Sequence, residues 1–457
     1  MIACDIAIIG GGIIGCAIAR ELSRYSPQTL VVEAANDIAC GTTKANGGLI
    51  HSGYDPAPGT MKSKVNARGN KLYSAWSKEL GFEFKRTGSM VLAFTQSDCA
   101  HLQTLLENGQ ANGVDGLEII GPERIHELEP QASPNAIQAL YCPHTGIVDP
   151  FDVAIAAAEN AAANGVQFLL NAPVRSIEQQ NDSFILHTPK GDISAKWLIN
   201  AAGCYADTIS HMAGGEHFAI GWRQGNLLVL DKNVTAKSIM PIYPVPTPTT
   251  KGVVVMGTVH GNILIGSTAI MREKGDLSCY ATDIEELMAG ATKLVPSLDA
   301  RSSIRQFAGG RAVITDTNDF FIGQSKLQTA CSKQRASSLP ASPAPRPSRN
   351  IWSSAFATQE FPCPKTQIST PFVMHRKIST LPPSSIKTSS SRAIPHGGAL
   401  FAAAKPSLRQ KSLPLSTARL APPPSKASSA AAAPEWAVAK VVFAKVASWT
   451  FCPASWV

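Results

Sequence analysis

Residues 4–35 read "CDIAIIGGGIIGCAIARELSRYSPQTLVVEAA", and this stretch decides the fold. An apolar run from Ile6 to Ile9 enters Gly10, Gly11 and Gly12, then Gly15, with Ala17, Ile18 and Leu22 at helical spacing behind them. A second β-branched run, Thr29 to Val32, ends in Glu33. Each part has a task in holding a dinucleotide. Gly10 permits the tight turn, Gly12 lets the backbone approach a pyrophosphate, and Gly15 lets helix and strand pack closely. The helix amino terminus offers N–H groups and the positive end of its dipole to the phosphates. Glu33 is placed to accept hydrogen bonds from an adenosine ribose. The succession of strand, turn, helix, strand and acid predicts a Rossmann-like α/β nucleotide domain, which NAD and FAD would satisfy equally.

The 457 residues allow two or three domains and a large core. No run approaches ~18 consecutive apolar residues, so a membrane-spanning helix is not expected. The glycine-broken start lacks a basic n-region and a small-residue cleavage site, which points to a cytoplasmic protein. Ten cysteines are scattered without a C-x-x-C pair, so neither a disulfide framework nor a metal site is expected. The net charge of +8 is unevenly spread. From Leu327 onward there are 16 Lys+Arg against 2 Asp+Glu, leaving 25 against 31 in residues 1–326, so the body is −6 and the tail +14. The tail has no aromatic interleaving and no RGG or RS repeat, so nucleic-acid binding is not expected; peripheral association with an anionic membrane is the alternative use of its charge.

After Glu33 comes "CGTTKANGGLIHSGYDP", residues 40–56. Gly41, Thr42 and Thr43 form a small hydroxyl-bearing loop, and Asn46, Gly47 and Gly48 would let a flat ring system approach the backbone. With "IIGGGIIG", "NGGLIHSGYDP", "LINAAGCYAD", "GNILIGSTA" and "FAGGRAV" in this order, the chain resembles the FAD-dependent oxidoreductases of the D-amino-acid oxidase superfamily. Within it the resemblance is to the glycerol-3-phosphate dehydrogenase branch, with L-2-hydroxyglutarate oxidases as cousins. It implies FAD as cofactor, with Val174 as a backbone contact and Ala201, Ala202 and Gly203 small for close cofactor approach. It also implies a Rossmann-like FAD domain interleaved with a β-rich antiparallel substrate domain built around Trp222 to Thr268. The expected segments are 1–80, 151–215 and 311–326 for the FAD domain and 81–150 and 216–310 for the substrate domain. Ala-rich stretches such as "VAIAAAENAAANG" read as plain packing helices.

Oxidising an alcohol on a flavin needs a dry pocket, a base for the hydroxyl proton, and a cation for an anionic substrate group. By resemblance His51 lies beside the ring and is the candidate base. Arg311, behind Gly309 and Gly310, is the candidate anion clamp, since a guanidinium matches phosphate or carboxylate in a bidentate way. Arg223 and Lys251 are weaker cationic candidates, more often solvated. The expected reaction is hydride transfer to flavin N5 from a small anionic secondary alcohol, glycerol 3-phosphate first, with a 2-hydroxy acid as the alternative. The electron acceptor, or a partner subunit serving as one, is left open.

The closing turn and helix of such a fold should follow "DTNDFFIG", yet residues 335–352 read "RASSLPASPAPRPSRNIW". Back-translated and read from the third base of each codon, residues 333–352 permit A-A-G-I-E-S-P-G-L-A-S-A-P-A-I-A-E-Y-M, the missing element. The same offset turns 400–406 into I-C-R-C-E-T and 434–445 into G-M-G-R-C-Q-G-G-F-C, which resemble a four-cysteine iron–sulfur domain of some relatives. A frameshift near residues 325–330 is therefore expected, with 327–457 a disordered Ser/Pro/Ala-rich tail. A product inactivated by it, binding polyanions through this tail, is the competing class of function.

Overall fold

The computed structural model describes residues 1–325 apart from 181–182, 235–238, 248–251, 316–318 and 324. Lys251 and the 327–457 tail, with its expected disorder and shifted frame, lie outside the described residues.

The opening stretch folds as its pattern predicts. Strand Ile2–Ile9 runs parallel to both Thr29–Val32 and Gly191–Asn200, and Thr29–Val32 runs parallel to Gln167–Leu169. Strands Ser183–Thr188 and Ser176–Gln180 extend the sheet in antiparallel fashion, making six strands. The central strand is apolar on both faces because both are covered. On one side Ile6, Ile8 and Val31 pack with Ala19 of helix Ile13–Leu22 and Ala161 of helix Pro150–Ala163. On the other, Ala7, Ile9, Leu30 and Val32 meet Ala172, Leu186 and Ile209. The Ala-rich stretch is indeed a packing helix, Val153 and Ala154 lying against Ile13 and Ala17. Asp149 caps it by accepting from Phe151 N at 2.9 Å, with Pro150 at the first helical position.

The second sheet has nine strands, with Ile220–Leu230 pairing antiparallel with Ile263–Gly266, Ile270–Arg272 and the long Ser303–Ile314. The expectation of an antiparallel sheet holds with one exception. Ile242–Pro244 lies parallel to Ser89–Ala93, a pairing the long chain between them permits. Side chains alternate between faces. Leu228, Leu230, Ile242, Ile263 and Ile265 face helix Ala281–Leu294 through Leu287, Ala291 and Leu294. Leu227, Tyr243, Val254 and Leu264 face the other way, toward Leu49 and Tyr54. The expected boundary between residues 310 and 311 falls inside Ser303–Ile314, which pairs through Ile314 with Ile220.

A third, small sheet joins Leu49–Ile50, Gly146–Val148 and Phe84–Arg86. Helix Met61–Leu80 follows, its first turn held from two directions. Thr60 accepts from Ser63 N at 3.2 Å, and Asp319 accepts from Met61 N at 2.7 Å and Lys62 N at 3.0 Å.

Candidate active site

At the nucleotide end, Gly10 has φ +109 and a Cβ there would sit 2.5 Å from the Ala201 carbonyl oxygen, so the glycine turn lies directly on the "LINAAG" segment. A Cβ on Gly15 would fall 1.9 Å from Gly10 O, the close helix–strand approach assigned to it. Helix Ile13–Leu22 has Gly12 as its N-cap and no side-chain cap of its own, which suits an anion-binding terminus. One of its N–H groups is already engaged, because Ile13 N donates to Thr43 Oγ1 at 3.0 Å.

Glu33 lies at the tip of its strand. Its Oε2 accepts from Gly11 N and its Oε1 from Ala35 N at 2.8 Å. Each carboxylate oxygen keeps a further lone pair for a ligand. Ala172 N donates to Glu33 O at 2.9 Å, and Val174, two residues on, packs beside Ile9 and Val32. Ala202 is partly buried, its N donating to Asn200 Oδ1 at 3.3 Å. Gly203 has φ +56, a left-handed backbone that favours glycine, and a Cβ there would meet no protein atom within 4 Å. Gly41 likewise borders open space.

The 41–48 loop is bound to itself and to both sheets. Asn46 Nδ2 donates to Thr43 O at 2.8 Å and its Oδ1 accepts from Gly48 N at 2.8 Å, so Asn46 shapes the loop. Gly48, at φ +66, is required by Val148, whose carbonyl oxygen would lie 2.0 Å from a Cβ. Thr42 Oγ1 donates to Gly310 O at 2.6 Å, tying the loop to the long strand of the second sheet.

Thr42, Thr43, Asn46, Gly47 and Gly48 line a single cavity together with His51 and Arg311. Leu49, Ile50, Val148 and Leu227 give it an apolar wall. Gly10, Gly12, Gly15, Glu33, Gly41, Val174, Ala202 and Gly203 do not line this cavity. His51 Nε2 is buried in the wall and meets no hydrogen-bonding partner among the described residues. The backbone at His51 is fixed by Asn70, whose Nδ2 donates to His51 O at 3.2 Å and His144 O at 2.8 Å.

Arg311 stands opposite Arg223 in the paired strands, with Gly309 opposite Gly225 two residues on. Arg311 Nη2 donates to Ser267 Oγ at 2.8 Å and to Thr268 O. Burial, and then the facing Arg223 guanidinium, push Arg311 down to about 10. One expectation is corrected here. Arg223 is 4% exposed, not solvated, because the strand places it on the inner face beside Arg311. The glycines before Arg311 are required by protein neighbours. A Cβ on Gly310 would strike the Trp222 ring at 2.3 Å, and one on Gly309 would strike Ala45 at 2.5 Å.

Ser267 and Thr268, which hold Arg311, carry no expected role although they sit in the quoted "GNILIGSTA" run. Their signal is positional, at the end of strand Ile263–Gly266, and becomes readable only when the register across Ile220–Leu230 is known.

Residues 5–341 match the family model described as FAD dependent oxidoreductase, abbreviated DAO. The glycerol 3-phosphate dehydrogenase of Caloramator mitchellensis is 41% identical over 319 residues, covering 70% of this chain and 66% of that protein. Human mitochondrial L-2-hydroxyglutarate dehydrogenase is 32% identical over 314 residues, covering 64% of this chain and 67% of that protein. Among solved structures, dithionite-reduced L-alpha-glycerophosphate oxidase from Mycoplasma pneumoniae with FAD bound superposes with a TM-score of 0.69 at 31% identity. It covers 71% of this chain and 87% of that one.

Proposed function

The chain belongs to the DAO family of FAD-dependent oxidoreductases, and from that premise we propose that it oxidises an anionic secondary alcohol, glycerol 3-phosphate first, to the corresponding ketone. The observation that carries this reading is the single cavity shared by His51, Arg311 and the Thr42–Gly48 loop.

The residues present fit the cofactor. The glycine turn and the helix end behind it offer a pyrophosphate site, Glu33 a ribose acceptor, and Gly47 and Gly48 present backbone in the cavity wall to a ring. Val174, Ala202 and Gly203 are assigned to its flank. When bound, FAD supplies the acceptor for two electrons and the carbinol hydrogen. Arg311 binds the anionic group of the substrate, its guanidinium oriented by Ser267 Oγ and Thr268 O. His51 takes the hydroxyl proton at Nε2, an atom buried without a partner among the described residues and so available to the substrate. The apolar wall excludes water, which strengthens both interactions.

Anaerobic addition of glycerol 3-phosphate should bleach the flavin absorbance. Bleaching by L-2-hydroxyglutarate alone would favour the second reading, for which the human relative speaks; bleaching by neither would defeat both. The division into FAD and substrate segments is kept as a proposal, with residues 311–314 moved to the substrate sheet because they pair there.

Among the described residues no helix is long and apolar enough to cross a membrane. A cytoplasmic location, peripheral membrane association and the identity of the electron acceptor stand as proposals. So does the frameshift near residues 325–330, supported by the three family-like strings in one offset frame. Resequencing the DNA around codon 327 tests it, and an uninterrupted frame with matching intact mass would refute it.

A further inference from the structure

We propose that Tyr243 is a substrate-contacting residue, its hydroxyl hydrogen-bonding an oxygen on the carbon next to the one that is oxidised. The assignment rests on the alcohol-oxidising reading above and adds the group that recognises the substrate's second oxygen.

Tyr243 lies on strand Ile242–Pro244 and is 6% exposed. Its ring packs at 5.9 Å from the His51 imidazole, tilted by 46°. It belongs to the face of the nine-stranded sheet that carries Leu227, and both pack with Leu49; Leu227 and Leu49 line the cavity. Its hydroxyl oxygen is buried and meets no hydrogen-bonding partner among the described residues, as is true of His51 Nε2.

Neighbouring polar groups do not relieve it. Ser89 Oγ and Thr145 Oγ1 bond to one another at 2.8 Å, and Tyr54 is engaged with Ser89. A phenylalanine would fill nearly the same volume without leaving a buried hydroxyl unpaired, so the oxygen is kept against the interest of packing. Two unpaired polar atoms lie on side chains in ring contact, that of His51 in the cavity wall and that of Tyr243 packed directly behind it, and a ligand bearing oxygens on adjacent carbons would complete both. Burial, and then Tyr54, Asp55 and Cys142, raise Tyr243 well above the ordinary tyrosine value, so it stays neutral and can donate.

In glycerol 3-phosphate the adjacent oxygen is the C1 hydroxyl. Arg311 would take the phosphate, His51 the C2 hydroxyl and Tyr243 the C1 hydroxyl. The test compares glycerol 3-phosphate with 2-hydroxypropyl phosphate, which lacks only that oxygen, in the wild type and in Tyr243→Phe. The wild type should favour glycerol 3-phosphate by about tenfold in kcat/KM, the scale of one neutral hydrogen bond. Tyr243→Phe should lose that preference by slowing on glycerol 3-phosphate alone. Its FAD-free form should melt at the wild-type temperature or above, because no hydrogen bond to a described residue is removed.

A variant that keeps the preference overturns the assignment, whatever its melting temperature. So does a wild type that shows no preference, a result independent of how the variant folds. Wild-type flavin left unbleached by both compounds overturns the alcohol-oxidising reading and this assignment with it, which separates the two failures.

Discussion

Replacing Gly15 by alanine probes the junction on which the nucleotide site depends. The added methyl would fall 1.9 Å from Gly10 O, 3.1 Å from Gly10 C and 3.5 Å from a methyl of Ile8. The helical backbone at this position would otherwise welcome alanine, which is favoured over glycine by about 1 kcal/mol. Against that stands overpacking, typically about 1–3 kcal/mol and more when the obstacle cannot rotate away. A carbonyl oxygen in the turn is such an obstacle, so the upper end applies and a net destabilisation of about 2 kcal/mol remains. The helix must tilt or the turn must open, and either displaces the N–H groups that face the pyrophosphate. Thermal unfolding of the FAD-free protein should show a melting temperature several degrees lower, and titration with FAD followed by flavin fluorescence should show weakened binding. Gly121→Ala is the control outside the nucleotide and cavity residues, since a Cβ there meets nothing within 4 Å and its backbone is extended at φ −88 and ψ 177. Wild-type melting and a wild-type titration for Gly15→Ala would refute the packing argument.

Arg311→Met should raise KM for an anionic alcohol by roughly 100-fold, the loss of a bidentate charge-assisted contact; steady-state kinetics with an unchanged KM would remove Arg311 from the site. Because burial lowers Arg311 to about 10, its cation is present below that pH, and wild-type KM should rise as pH passes it. His51→Asn should slow flavin reduction in stopped-flow by about 100-fold or more while FAD stays bound, and normal reduction would exclude it as base. Asp319 is pushed up by burial but lowered overall by the N–H groups of Met61, Phe320 and Lys62. Its folded value thus lies below its unfolded one. Its contribution to stability is present above the unfolded value near ~4 and is lost as pH falls through the folded value. Asp319→Asn should therefore lower the melting temperature at pH 7 and match the wild type in strong acid.

What could be read in advance follows the range of the interactions involved. The stretch from Ile6 to Glu33 encodes its strand, turn and helix through neighbours, so its fold is plain in the residue pattern. The Ala-rich helix is also local, down to the Asp149 and Pro150 that start it. Contacts between distant segments are another matter. Asp319 caps a helix 257 residues away along the chain, and nothing near either end announces it. Arg223 looked like an ordinary surface cation until strand register set it opposite Arg311. Gly310 is held to glycine by Trp222 and Gly48 by Val148, neighbours that the residue pattern does not announce. Tyr243 carries no motif, and what singles it out is a buried hydroxyl with no hydrogen-bonding partner among the described residues.

The bond from Thr42 to the Gly310 carbonyl ties the two ends of the site together. Thr42 belongs to the loop that would face the cofactor ring, and Gly310 is the immediate neighbour of the guanidinium that would hold the anion. A ligand that shifted the loop would pull on the strand through this bond, and occupancy at one end would then bias the other. Such coupling is reciprocal in binding free energy. Whatever factor by which cofactor tightens the grip on an anionic ligand, the anion must tighten the grip on cofactor by the same factor.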